Sequence, residues 1–301
     1  LLQALPLVAS GAADALKLTD EELALACASH NGEPAHVATA RGMLAKAGLD
    51  ADALECGTHW PGLDTASREL AARGQSPGAL HNNCSGKHAG FACLACALHG
   101  RDGLRGFLSG YVEPGHPVMR EVGAALQAAT GVDLAQAPIG IDGCSIPTYA
   151  IPLERLALAF ARVATGQGLS ADHARAARRL RQAIARAPFM VAGSGRFDTR
   201  VMLSLGERVC CKVGAEGVYC AALPERGLGV AIKMDDGNTA RAAEVVMAAA
   251  IESLLRVDAG QAELLRSLST VTLRNWRGTE VGALRASPVL SAALGRASTR
   301  A

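Results

Sequence analysis

Aromatic side chains are scarce: two Trp, three Tyr and five Phe make up 3% of 301 residues. That scarcity excludes a base-stacking platform for single-stranded nucleic acid and leaves the core to Leu, Val, Ile and Ala on closely packed helices. Blocks of like charge are missing too. Thirty basic and 28 acidic residues give a net charge of +2, so there is no electrostatic footprint for nucleic acid or an anionic membrane. No apolar run reaches about 18 residues, and no membrane segment is expected. The substrate is expected to be a small molecule.

Several chemical signatures are absent as well. No His-Glu-x-x-His occurs, and Gly193-Ser194-Gly195 lacks the spacing of a hydrolase elbow. Gly86-Lys87 fails as a phosphate loop, because His81 stands where the first glycine is required and His88 where Ser or Thr is required. Cys93-Leu94-Ala95-Cys96 has redox or metal spacing, yet it lies in an apolar helical run without a second such pair and reads as core. Nine cysteines, an odd count scattered from Cys27 to Cys220, sit in a chain too large to need staples and are expected to be reduced, in the cytoplasm. The chain opens on Leu1 already in helical pattern, so upstream sequence is expected.

What is present is concentrated in His81-Asn82-Asn83-Cys84-Ser85-Gly86-Lys87-His88-Ala89-Gly90-Phe91. Asn83 or Ser85 can cap a helix that continues through Leu98, which puts Cys84 and Lys87, three apart, on one face at its first turn. A thiol at a helix N-terminus beside an ammonium has a lowered pKa and suits a nucleophile or a metal ligand. A polar cap with a buried cysteine is the plainer alternative.

Elsewhere, Thr19-Asp20-Glu21-Glu22 is a capping box for a short helix that delivers Cys27-Ala28-Ser29-His30 to a turn. A serine there is either a local hydrogen-bonder or part of a nucleophilic pair. Helices are expected over 35–47, 64–72, 117–129, 152–165 and 170–186, the last with a run of Arg on a solvated face. Residues 137–141 read as a short strand ending at Asp142-Gly143-Cys144, where open α/β sheets place their sites. From Arg208 three strands alternate with glycine turns as an antiparallel meander, followed by a helix to Leu255 and an edge strand in 271–284. Lys212 lies mid-strand between Cys211 and Val213. Shielded from water it would lose part of its pKa and serve a serine as base; otherwise it points to solvent. One α+β domain spanning 1–301 is expected, helices packed on an antiparallel sheet.

Six ordered motifs, Cys27-Ala28-Ser29-His30, Asn83-Cys84-Ser85-Gly86-Lys87-His88, Asp142-Gly143-Cys144, Gly195-Arg196-Phe197-Asp198-Thr199, Lys212-Val213-Gly214-Ala215-Glu216-Gly217 and Asp236-Gly237-Asn238, together resemble the asparaginase II family, the cysteine-containing Rhizobium-type L-asparaginases. The resemblance runs from about Leu1 to Leu284. It implies a serine β-lactamase and glutaminase type of fold and hydrolysis of L-asparagine to L-aspartate and ammonia through serine–lysine pairs, with Ser29 as catalytic serine and Lys212 as its base. It further implies a zinc ion on Cys84, Lys87 and Cys144, with Asp142 and His88 nearby to hold substrate or orient the ligands and Asn83 binding substrate. Some members carry a cysteine where Asp198 stands here. The family's additional Ser-x-x-Lys pair and first sheet strands precede the segment beginning at Leu1, so impaired turnover is expected. A homodimer is expected, and glutamine amidase or a zinc- or thiol-dependent sensor are the alternative functions.

Overall fold

Helix signals and helices coincide closely in the computed structural model, which describes residues 1–298. Thr19 Oγ1 accepts the Glu22 N–H at 3.3 Å while Glu22 Oε2 accepts the Thr19 N–H at 2.8 Å, so the capping box starts the Asp20–Ala26 helix as read. Pro34 opens the Pro34–Ala47 helix, and Pro117–Thr130, Leu153–Thr165 and Ala171–Arg186 fall on their expected segments.

The Ser85–His99 helix is the spine of the helical half, with Ala89 through Ala95 all buried. Its start is made differently from the expectation. Neither Asn83 nor Ser85 caps it; Asn82 Oδ1 accepts the Cys84 N–H at 2.8 Å, and the Ser85 hydroxyl donates to Leu80 O at 2.9 Å. Cys84 is thus the N-cap residue and Lys87 lies in the first turn. Gly86 lets the Asp20–Ala26 helix press against this one, since a Cβ there would stand 2.4 Å from both Leu25 O and Leu25 Cγ.

The strands form small antiparallel sheets. β1 (Ile139–Ile141) pairs with β2 (Pro147–Tyr149), and β3 (Cys210–Val213), β4 (Val218–Leu223) and β5 (Leu228–Lys233) form a sheet in that order. The Leu153–Thr165 helix covers β4 and β5, and the Ala242–Leu254 helix packs on the same strands. The result is a mixed α/β, predominantly helical fold with a meander where one was expected.

Two expectations need correction. β1 does not end at the carboxyl edge of an open α/β sheet: it belongs to a separate hairpin with Ile139 and Ile141 exposed, and the β1–β2 turn presents Asp142-Gly143-Cys144. The tail is not one edge strand but a hairpin, β6 (Thr270–Arg274) with β7 (Glu280–Arg285), flanked by helices Ala259–Ser269 and Pro288–Ser298. The Arg-rich face is largely solvated as expected, with surface pairs of Arg179 with Asp14 and Arg186 with Asp20 and with Arg181 Nε donating to Val163 O. Among the described residues no helix is long and apolar enough to cross a membrane.

Candidate active site

Two distant stretches meet at Ser29. The loop after the Asp20–Ala26 helix is stitched to the segment 191–196 by two backbone bonds, Ser29 N–H to Val191 O at 3.0 Å and Asn31 N–H to Ala192 O at 2.9 Å. From β3, Lys212 extends its amine to 2.9 Å from Ser29 Oγ, with a second contact of 2.6 Å to Val213 O. The lysine therefore does not point to solvent.

A buried carboxyl holds that strand in place. Asp198 Oδ1 accepts the Val213 N–H at 3.0 Å and Asp198 Oδ2 accepts the Tyr219 hydroxyl at 2.6 Å. Burial lowers the Lys212 pKa, and the neighbouring Lys87 and Arg196 push the same way, while Asp198 and Cys84 act against them. With one N–H spent on Val213 O, an uncharged amine keeps its lone pair for the serine proton.

A second cluster stands across the same cavity, which has a volume of about 630 Å³ and is lined by both groups. Lys87 Nζ lies 3.2 Å from Cys144 Sγ and 3.9 Å from Asp142 Oδ2, and Cys144 Sγ lies 3.4 Å from Asp142 Oδ2. The neighbouring Cys144 thiol, aided by Lys87, brings the Cys84 pKa down to about 6 despite burial, while Cys84 and burial push Cys144 up to about 12. Burial works against the Lys87 charge, but the two sulfurs and Asp142 outweigh it and raise its pKa. A similar cavity of about 640 Å³ lies near Arg41, Arg73 and His81, and holds none of this chemistry.

Of the expected substrate residues, Asn83 and Asp142 line the cavity and His88 does not. Adjacent helical positions diverge by about 100°, so with Lys87 facing the cavity His88 turns into the core, fully buried against Phe91 and Tyr111. Its Nδ1 is 2.6 Å from the Tyr111 hydroxyl, while Nε2 is the one buried side-chain nitrogen or oxygen without a hydrogen-bond partner among the described residues. Burial lowers the pKa of the ring, and the nearby Cys144 partly offsets that lowering. His88 is therefore buried behind the cavity wall and does not line it.

The profile of the L-asparaginase II family matches residues 1–286. The chain belongs to the L-asparaginase II family. No curated protein sequence matches it. In this L-asparaginase II chain the cavity also exposes His59, which sequence reasoning missed. His59 Nδ1 donates to Trp60 O at 2.7 Å and Nε2 accepts the Asn83 N–H at 2.8 Å, so the ring orients the Asn83 loop from a segment with no motif around it.

A metal can be weighed against these donors. Among the described residues no three His, Cys, Asp or Glu side chains converge as a metal cage. Two adjacent sulfurs with a lysine amine against one of them nevertheless make a soft donor set, and the unpartnered His88 Nε2 behind them is the kind of second-layer group that metal sites use. The residues fit zinc provided that Lys87 gives up its proton on binding.

Proposed function

We propose that this chain is an L-asparagine amidohydrolase of the serine–lysine type, on a serine β-lactamase-like fold. The observation that carries the reading is the 2.9 Å contact between Lys212 Nζ and Ser29 Oγ on the wall of a polar cavity. In the first half-reaction neutral Lys212 takes the Ser29 proton as Oγ bonds to the side-chain amide carbon of asparagine. The same proton passes from Nζ to the departing nitrogen as the C–N bond breaks, which releases ammonia and leaves a Ser29 ester. Water then adds to the ester carbon, Lys212 relays one of its protons back to Ser29 Oγ, and aspartate leaves.

Cys84, Cys144 and Lys87 would hold a zinc ion on the opposite wall. When bound it supplies a fixed positive charge that orients substrate polar groups. Asn83 and Asp142 face the same space and contribute an amide and a carboxylate to substrate.

The test is ammonia release from L-asparagine by the wild-type chain, Ser29→Ala and Lys212→Ala, with L-glutamine beside it. Each substitution is expected to lower kcat/KM at least about 1,000-fold, in line with loss of a nucleophile or its base. Undiminished turnover in either variant refutes the pair, and faster release from glutamine moves the substrate assignment to the longer amide.

A further inference from the structure

The cavity wall carries three basic side chains, Lys87, Arg196 and Lys212. Lys87 is engaged by Cys144 and Asp142, and Lys212 by Ser29 and Val213 O. Arg196 differs. Its side chain makes one hydrogen bond, from Nη1 to the neutral amide oxygen Asn31 Oδ1 at 3.1 Å, and no carboxylate lies within 4 Å of it among the described residues. Four further guanidinium N–H donors stay unspent at the edge of a polar cavity.

This position is built, not incidental. Glu33 Oε1 accepts the Ser194 N–H at 2.7 Å and Asn31 Nδ2–H at 3.2 Å, and Glu33 Oε2 accepts the Ser194 hydroxyl at 2.7 Å. Asn31 Nδ2 also donates to Ser194 O at 3.2 Å, which sets the amide orientation and turns Oδ1 to Arg196. Gly193 admits the arrangement. At φ +109° it holds a backbone that side-chain-bearing residues avoid, and a Cβ there would stand 2.4 Å from Glu33 Oε1 and 2.7 Å from Asn31 Nδ2. Because the same loop carries Ser29, bonded to Val191 O, the guanidinium is held in fixed register with the serine hydroxyl.

A cation fixed near a nucleophile with an open planar fork suits a carboxylate, which it can grip with two parallel bonds. We propose that Arg196 binds the α-carboxylate of the substrate, so that the site takes free amino-acid amides and discriminates against amides that lack this charge. This rests on the amidohydrolase reading and names the group that fixes its substrate class. Two parallel bonds place the carboxylate in one plane and leave the side-chain amide free to swing to Ser29.

The experiment compares wild type, Arg196→Gln and Arg196→Lys on L-asparagine and on 3-aminopropanamide, which is asparagine without its α-carboxylate. Each variant is assayed on the plateau of its own pH profile, so that the lost charge beside Lys212 does not enter. Arg196→Gln is expected to lower kcat/KM on asparagine about 10- to 100-fold, chiefly through KM, and to change 3-aminopropanamide less than about threefold. Arg196→Lys is expected to recover part of the loss. Equal losses on both amides, or none on asparagine, overturn the assignment. Calorimetric binding of L-aspartate and of β-alanine, its counterpart without the α-carboxylate, reads the same contact without turnover. Wild type should hold aspartate at least about tenfold more tightly than Arg196→Gln does, with β-alanine indifferent to the change. Aspartate binding that depends on Arg196 without ammonia release sinks the amidohydrolase reading and keeps the carboxylate site, whereas aspartate affinity that is absent or independent of Arg196 sinks the carboxylate site.

Discussion

Asp198 offers the sharpest check on how the lysine is tuned. It is fully buried and accepts two hydrogen bonds, from Val213 N–H at 3.0 Å and the Tyr219 hydroxyl at 2.6 Å. Asp198→Ala strands both donors in the core. At about 1.5–3 kcal/mol for each bond to a charged acceptor, the loss is about 3–6 kcal/mol. With roughly 2–4 °C per kcal/mol in a chain of this size, the thermal midpoint should fall by about 6–24 °C.

Asp198→Asn keeps an acceptor and removes the charge, so it should fold and report on electrostatics. In the native protein the Asp198 carboxylate favours the Lys212 ammonium and opposes the lowering caused by burial. Without it the lysine pKa falls further, and the amine is uncharged at a lower pH. Activity that needs a neutral lysine rises as that proton is lost, so the acid limb of kcat/KM against pH should move to lower pH in Asp198→Asn. The assay is ammonia release across the pH range, with unfolding followed in parallel. An acid limb that stays in place or moves upward refutes the claim that Asp198 acts on Lys212 through its charge.

Other outcomes follow from the same geometry. Cys84, with its pKa near 6, should be mostly thiolate at pH 7 and alkylate with iodoacetamide well ahead of the cysteines pushed to about 12. Peptide mass spectrometry reads the order, Lys87→Met should slow Cys84, and added zinc should protect it. Gly86→Ala drives a methyl into Leu25 O and should cost at least about 2–3 kcal/mol in chemical denaturation; a neutral result would mean that the two helices part freely. Lys46→Met removes the 2.6 Å partner of buried Glu22, and with the lysine one-third exposed the expected loss is about 1–2 kcal/mol, measured by urea unfolding.

Much of the site was legible because its parts carry local signals. Cys84 and Lys87 could be placed on one helical face from spacing alone, and a lysine in a strand between Cys211 and Val213 was conspicuous against apolar neighbours. The resemblance set His88 near substrate or ligands without saying which way its ring turns, because one residue of helical rotation decides whether it meets the cavity or the core. His59 carried no signal at all, since its role comes from a ring wedged between Trp60 O and the Asn83 N–H, partners that no local pattern foretells. Residues 137–141 misled for a similar reason. A short apolar run fixes a strand but not its partner, and β1 pairs with β2 away from the meander. The helices at Phe197–Leu205 and Ala259–Ser269 were not anticipated; the second starts from an Asp258 cap with Gln261, a legible box that was passed over.

The Glu33 knot that joins Asn31 to Ser194 means that the nucleophile's loop and the arginine's loop travel together. On the proposed reading, a change of residue in either one is felt at both ends of a substrate, at the bond to be cut and at the charge to be gripped. Selection for a longer or shorter substrate therefore cannot slide one end while leaving the other at rest. It has to remake the knot, or reshape the part of the far wall formed by the β1–β2 turn, because Asn83 is tied to the serine's loop as well, its carbonyl accepting the His30 N–H at 3.0 Å.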